Sequence, residues 1–393
     1  MEFTLSEEQR GLQAGARDFA EGVLRPRARS FDEAGSIPAD VLRQTAELGF
    51  FGVLTPAEYG GAALDPLSYC LVIEELARGC ASTAITVSVT NSVVAAPIAR
   101  HGSPGQKERL LPLLARGEWL GSFCLTEAHA GSDASAIRTR AIRTPRGWRL
   151  DGAKAWVTNA GWARLFLVFA VTDPPAGGRG LTAFLVESGT PGLRVGPAER
   201  KMGLRASSTA PLYLDGCEIP PQARLGEEGR GLPLALETLD AARIGVAAQA
   251  VGIAQAALDE ALSYARSRTA FGQPISGFGA LRAMLADMAL DVEAARLLTL
   301  RAASLKAAGA AFARQASMAK LFASEAANRV AARAVQIHGA AGYSAESTVE
   351  RLYRDARVTT IYEGTSEIQR LLIARHLLGR ASRAPEAAAQ VGA

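Results

Sequence analysis

The spacing of apolar positions changes twice along the chain. From about residue 6 to residue 116 they recur at helical intervals: Leu12, Ala16, Phe19 and Val23 form one stripe behind a capping box at Ser6 and Gln9. Asp65-Pro66 predicts a further helix start, a side-chain cap followed by proline in the first turn; Leu71, Ile73, Leu76 and Ala77 continue its apolar face, and Gly60-Gly61 marks the break before it. From about residue 121 to residue 225 the texture is that of strands. Trp148-Arg149-Leu150 and Ala155-Trp156-Val157 flank Asp151-Gly152, which predicts a hairpin. Residues 165–172 and 180–187 read as buried strands, with Pro174-Pro175 and Gly177-Gly178 in the loop between them and Asp215-Gly216 after a strand at 212–214. From about residue 229 to residue 378 the chain is helical again, with long Ala- and Leu-rich runs at 232–268, 281–308 and 313–338 and a short helix from Ser366. The expected fold is mainly α with a central β domain: a helical N-terminal domain over 1–120, a small β barrel or sandwich over 121–228, and a C-terminal four-helix bundle over 229–380. Residues 381–393 carry no period and are expected to be a disordered tail.

Composition narrows the function more by exclusion than by suggestion. The 393 residues carry a net charge of +4 with Lys and Arg scattered among acids, so no nucleic-acid surface is indicated. Four cysteines in apolar contexts, with no C-x-x-C pair, favour a reducing compartment. The N-terminus has no signal-peptide pattern, and no apolar run of membrane-spanning length stands out. The expectation is a cytoplasmic protein with no membrane insertion. His101, His129, His338 and His376 have no metal-ligand spacing, and no H-E-x-x-H, Walker A or G-x-S-x-G motif occurs. Gly178-x-Gly180-x-x-Ala183 leads into a strand rather than a helix, so it fails the context of a Rossmann fingerprint. A dinucleotide would have to be bound another way.

Several segments stand out together. They are Cys124-Leu-Thr-Glu-Ala-His-Ala-Gly-Ser-Asp133, Trp156-Val-Thr-Asn159, Arg266-Ser-Arg-Thr-Ala-Phe-Gly-Gln-Pro274, and Gln336-Ile-His-Gly-Ala-Ala-Gly-Tyr343 paired with the run from Arg354 through Tyr362-Glu-Gly-Thr365 to Arg370. Taken singly each has an ordinary explanation. Gly131-Ser132-Asp133 is good turn chemistry. Trp156 and Thr158 alternate with Val157 and so share a strand face. Asp240 and Arg243 are spaced as an i,i+3 ion pair. Arg268 is a cation at a helix C-terminus and Glu363 an acid just before a helix N-terminus, both favoured by the helix dipole.

In this order and spacing the segments resemble the acyl-CoA dehydrogenase family, its short-chain, butyryl-type members most, over about residues 3–378. The resemblance implies FAD, with Leu125, Thr126 and Ser132 along the flavin, Trp156 against the isoalloxazine and the Thr158 hydroxyl near N5. It implies that Arg268, Gln336 and Gly339 reach the FAD of a neighbouring subunit, that Phe271 covers the adenosine side, and that Thr365 and Glu367 also contact the cofactor. Ser132, Asp240, Arg243, Tyr362 and Gly364 are implied in acyl-CoA binding, with no metal. Glu363 is implied as the base that removes the α-proton while the β-hydrogen leaves as hydride, its backbone N–H helping to hold the thioester carbonyl. Some members carry the base on the long helix instead, where this chain has Ala242. Residues 87–94 resemble the pocket helix of short-chain members. Ala128-His129, Gly279 and Ala340 depart from the usual residues.

The expected activity is FAD-dependent α,β-dehydrogenation of a short- to medium-chain acyl-CoA to the trans-2-enoyl-CoA in fatty acid β-oxidation. Electrons would pass to electron-transfer flavoprotein, in a homo-oligomer built as a dimer of dimers, a homotetramer. The alternatives are an oxygen-reducing, oxidase-like flavoprotein, or a dehydrogenase of a branched or carrier-protein-bound acyl thioester.

Overall fold

The computed structural model describes residues 4–379, so the expected tail at 381–393 lies outside the described residues. In the N-terminal part, α1 (Glu7–Phe19) starts at Ser6, whose hydroxyl accepts from the Gln9 N–H while the Gln9 side chain accepts from the Ser6 N–H, both at 3.1 Å. After α2 (Arg25–Ala34) and α3 (Ala39–Glu47), α4 (Pro66–Gly79) starts on Asp65, whose carboxylate accepts the Ser68 N–H at 2.6 Å. Both caps are those read from the sequence. α5 (Ala81–Val89) runs through a π-helical stretch, Thr90–Ala95, into α6 (Ala96–His101), and α7 (Pro104–Ala115) closes this part with a second capping box at Ser103 and Gln106.

The middle of the chain forms one sheet: β1 (Leu120–Cys124), β2 (Arg140–Thr144), β3 (Gly147–Thr158), β4 (Ala163–Val171), β5 (Leu181–Glu187), β6 (Leu193–Val195), β7 (Thr209–Ile219) and β8 (Arg224–Leu225). The order is β6-β7-β3-β2-β4-β5-β8, and β1 pairs parallel with β4. β4 is apolar on both faces because both are covered. Leu165, Leu167 and Phe169 face the helical core, whereas Phe166, Val168 and Ala170 join a second core with Trp148, Leu150, Phe184 and Leu212. Trp148 of β3 meets Phe184 of β5 edge-on at 5.3 Å, although β2 and β4 lie between their strands in the sheet order. The sheet therefore folds over on itself, as a small sandwich does.

The hairpin expected at Asp151-Gly152 is not there. β3 runs straight through it, and β7 runs through Asp215-Gly216. The two Asp-Gly pairs oppose each other in one ladder, with a register shift between Leu150 and Gly152 and the Asp151 carboxylate accepting the Gly216 N–H at 2.7 Å. The chemistry that suits a tight turn, a short acid beside a residue free to take positive φ, suits a β-bulge equally well. The hairpin turn lies one step earlier, at Pro145-Arg146 between β2 and β3.

The C-terminal part is α8 (Gly231–Ser267), a minimal hairpin of β9 (Thr269–Ala270) and β10 (Gln273–Pro274), then α9 (Gly279–Ala307), α10 (Ala313–His338), α11 (Ala340–Tyr343), α12 (Thr348–Arg357) and α13 (Ser366–Leu378). α8, α9 and α10 pack side by side, with α12 and α13 against α10. α8 also lies on α4, where a Cβ on Gly252 would come within 2.2 Å of the Glu74 carbonyl, so only glycine permits this approach. Two stretches do reach the length and apolarity of a membrane span, contrary to the sequence-based expectation: Ala81–His101 and Gly231–Ser267. Both are buried among other elements; a helix surrounded on all sides is apolar all round without any membrane.

Charges join the three parts. Glu74 and Glu75 of α4 are buried and pair with Arg296 of α9 at 2.9 Å and Arg17 of α1 at 2.6 Å. Arg354 of α12 holds Asp32 of α2 at 2.7 Å and donates to the Met202 carbonyl, while the neighbouring Asp355 accepts the Leu204 N–H at 2.6 Å.

Gly252→Ala should lower stability by about 1–3 kcal/mol through overpacking against α4. Gly15→Ala on the exposed face of α1, where an added Cβ meets nothing within 4 Å, should be neutral or stabilising by up to about 1 kcal/mol. Urea unfolding of the two variants checks the pair.

Candidate active site

The chain leaves α12 through a 3-10 turn, Val358–Thr360, and reaches α13 by way of Ile361, Tyr362, Glu363, Gly364 and Thr365. Glu363 has φ 54° and Gly364 φ 92°. A left-handed backbone at a non-glycine residue costs on the order of 1–3 kcal/mol and must be held by its surroundings. Lys320 of α10 donates to the Gly364 carbonyl at 2.7 Å. Gln369 of α13 donates to the same carbonyl at 2.9 Å and to that of Glu363 at 3.3 Å. Thr365 caps α13, its hydroxyl accepting the Ile368 N–H at 3.3 Å. Glu367 is exposed in the first turn, and its own backbone N–H, with the Thr365 hydroxyl, holds its carboxyl below the usual range.

The Glu363 residue is half-buried, but its Oε2 is sealed from solvent and has no hydrogen-bond partner. Burial pushes its pKa up to about 7 against the opposing pull of Arg243 and Lys320. Arg243 of α8 is 5% exposed; it pairs with Asp240 and donates to Ser317 Oγ at 3.4 Å, yet its Nε is unpartnered. Ser366 Oγ and Gln369 Oε1 are likewise buried without partners. Unsatisfied donors and acceptors gathered from α8, the 363 turn and α13 fit a site that a polar ligand completes. Tyr362 is turned to Gln249 of α8, its hydroxyl donating to the amide oxygen, and Tyr69 of α4 pairs with Ser88 at 2.7 Å. Ala242 is buried beside Arg243 and offers no acid.

The segment 124–133 is held from behind. Glu127 is buried and accepts from the Arg138 and Thr139 N–H groups, the Thr139 hydroxyl and Lys154 Nζ, the last at 2.7 Å. Lys154, fully buried, also donates to the Leu125 carbonyl at 3.2 Å, and the Thr126 carbonyl accepts the Ala155 N–H. Leu125 is buried, Thr126 half-buried and Ser132 exposed in a turn, with Asp133 capping the short helix after it. His129 is exposed, its ring 3.2 Å from the Ala136 carbonyl. Val157 is buried between an exposed Trp156 and a half-buried Thr158, as expected of an alternating strand. β3 is bulged between Lys154 and Val157, and Trp156 sits at φ 59° with 59% of its surface exposed, while Thr158 is back in register opposite Thr209. Asn159, at φ 66°, anchors the end of the strand by donating to the Thr86 and Gly121 carbonyls.

Four of the expected residues do not join this site. Arg268 caps the far end of α8, and Gln336 and Gly339 end α10 next to it, where Tyr264 stacks on His338 at 4.2 Å. Phe271 is at the tip of the β9–β10 turn, φ 52°, and 95% exposed. Arg243 lies within α8 and Arg268 caps its end twenty-five positions on, roughly 38 Å at 1.5 Å per residue. One chain cannot bring both ends to Glu363.

Sequence reasoning missed Lys320, Gln369, Gln249, Tyr69 and the Glu127–Lys154 pair. A signal existed for Lys320: it shares the stripe of Ala316, Ala319, Ala323 and Ala327, all buried, so a charged side chain was being sent into the core.

Three family models match the chain in order: the N-terminal domain of acyl-CoA dehydrogenase over residues 6–118, the middle domain over 122–217 and the C-terminal domain over 229–378. The mitochondrial short-chain specific acyl-CoA dehydrogenase of Rattus norvegicus is 48% identical over 95% of this chain and 91% of its own length. The butyryl-CoA dehydrogenase structure from Megasphaera elsdenii superposes with a TM-score of 0.94 at 43% identity, covering 96% of this chain and all of that one. A chain from the structure of the electron transferring flavoprotein of Acidaminococcus fermentans, described in connection with flavin-based electron bifurcation, superposes at 0.95 with 44% identity over 96% of this chain and 100% of its own. Three collinear domain models and relatives matched nearly end to end place this chain in the acyl-CoA dehydrogenase family.

Proposed function

We propose that this protein oxidises a short-chain acyl-CoA at its Cα–Cβ bond to the trans-2-enoyl-CoA, with Glu363 as the base. The observation that carries the reading is the Glu363 carboxyl itself: set on a strained turn, one oxygen buried and unpartnered, and pushed by burial to about 7. A base poised near neutrality can take a weakly acidic proton and remain ionised enough to do so. Ala242 stands at the alternative position, which therefore offers no acid for the role. Identity of 48% to a short-chain specific enzyme supports the substrate class, and residues 87–94, which are buried, are the segment whose likeness suggested it.

FAD supplies the two-electron acceptor. Leu125, Thr126, Ser132, Trp156 and Thr158 are the residues of this chain assigned to one flavin, on a segment fastened by the Glu127–Lys154 pair. Thr365 and Glu367, at the start of α13, are assigned to the same cofactor. Ser132, Asp240, Arg243, Tyr362 and Gly364 are assigned to the acyl-CoA. Arg268, Phe271, Gln336 and Gly339 are assigned to the FAD of a second subunit, because they lie exposed at the opposite end of α8 from Arg243. The protein is accordingly read as a homo-oligomer, a dimer of dimers. Electron-transfer flavoprotein is the proposed acceptor, supported by the likeness to a chain solved in that context in Acidaminococcus fermentans.

Glu363→Gln should keep FAD but lose nearly all anaerobic flavin bleaching by butyryl-CoA; wild-type bleaching in that variant would remove the assignment. Across a panel of acyl chain lengths bleaching should be fastest at short chains. Electron-transfer flavoprotein should reoxidise the reduced enzyme much faster than air does, whereas rapid peroxide formation would favour an oxidase. A pH effect on stability follows as well. The folded-state pKa of Glu363 is raised from 4.5 to about 7, so its contribution is present at low pH and is lost as pH rises through that window. Glu363→Gln should therefore raise the thermal midpoint by a few degrees above pH 7 and by nothing near pH 4.

A further inference from the structure

Lys320 is a second buried lysine, and its environment differs from that of Lys154. Both are fully buried. Lys154 has a carboxylate at 2.7 Å, whereas Lys320 has, among the described residues, no carboxylate within ion-pair distance and one hydrogen bond, to the Gly364 carbonyl. An ammonium carries three donors, and burying one with a single neutral acceptor is unfavourable. An apolar side chain on this alanine stripe would serve packing better, so stability does not explain the lysine.

Its location does. The carbonyl it holds belongs to the residue after Glu363, in the turn whose positive φ values need outside support. Other charged and titratable groups face this carboxyl from the surrounding elements. They are Arg243 from α8, Tyr69 from α4, and Tyr362 on its own segment; Glu325 of α10 and Glu367 of α13 face Lys320. Of the two cations, Arg243 is committed to Asp240 and Ser317. Lys320 is the one of the two that touches the backbone of the turn carrying the base, where the other partner is the neutral amide of Gln369.

We propose that Lys320 is a positioning residue for the dehydrogenation, fixing the Glu363–Gly364 turn through the Gly364 carbonyl and placing a positive charge near the base. This rests on Glu363 being that base. Burial lowers the Lys320 pKa to about 8, so the charge is present at neutral pH. Removing it raises the Glu363 pKa, because a nearby cation favours the ionised carboxyl. The acid limb of the rate profile then moves to higher pH.

The test is the anaerobic rate of FAD reduction by butyryl-CoA from pH 5.5 to 9, with FAD-loaded wild type, Lys320→Met, Lys320→Gln, Lys320→Arg and Glu363→Gln. Lys320→Met should shift the acid limb upward by about one unit and slow reduction about tenfold on that limb. Lys320→Gln keeps a donor for the Gly364 carbonyl but no charge, and should show the same shift. Lys320→Arg should restore the wild-type limb. If Lys320→Met fails to fold, Lys320→Gln decides. A wild-type limb in an uncharged variant that loads FAD, even one with a lower thermal midpoint, overturns the proposal and leaves Lys320 a strut. Glu363→Gln separates the two readings: wild-type reduction there removes the base, whereas its inactivity beside unshifted Lys320 variants removes the role of Lys320 only.

Discussion

A carboxylate with one oxygen sealed from water and left without a partner is an unstable arrangement that the rest of the fold must impose. Glu363 occupies it because the chain around it has little freedom. α12 ends in a 3-10 turn, α13 begins on the Thr365 cap, and the four residues between them are drawn to α10 by Lys320 and to α13 by Gln369. α12 is itself tied to α2 and to the 202–204 loop by Arg354 and Asp355. The position of one side chain thus depends on contacts from each of the three parts of the protein, and a desolvated acid near pKa 7 is the chemical result.

The two buried lysines divide the remaining work. Lys154 neutralises Glu127 and, by holding the Leu125 carbonyl, fastens the 124–133 segment to β3 just before the bulge that turns Trp156 outward. Breaking a buried pair by removing one partner typically costs about 3–5 kcal/mol, so this pair fixes local shape whatever its net contribution. Lys320 has no such partner among the described residues, and in the proposed role its charge acts on the base. The same residue type, at the same burial, serves structure in one place and electrostatics in the other.

Much of this was legible in the sequence where chemistry is local. Ser6–Gln9 and Asp65-Pro66 name helix starts because the capping atoms lie within three residues of the groups they cap. The three long helices follow from their alanine and leucine spacing. Asp151-Gly152 misled because a local preference for positive φ does not say whether the chain reverses or only kinks, and the ladder with β7 decided it. Residues 81–101 and 231–267 are as long and apolar as membrane spans, and composition alone does not distinguish an interior helix from a membrane one. Lys320, Gln369 and the Glu127–Lys154 pair act across 5 to 44 positions of sequence, and no spacing rule reaches that far.

The left-handed residues make the same point from the backbone. Apart from glycine, positive φ occurs among the described residues at Ala63, Trp156, Asn159, Leu204, Phe271 and Glu363. For aromatic and acidic side chains that conformation is costly, so each must be over-determined by neighbours. Trp156 is set by the bulge, Glu363 by Lys320 and Gln369, and Phe271 by a two-residue turn with Gly272. These three are residues that the motifs singled out. In each case the strain presents a side chain that ordinary strand or helix geometry would have turned into the core or along the surface. The motifs therefore record more than residue types: they mark where the fold tolerates an unfavourable backbone in order to aim a particular group.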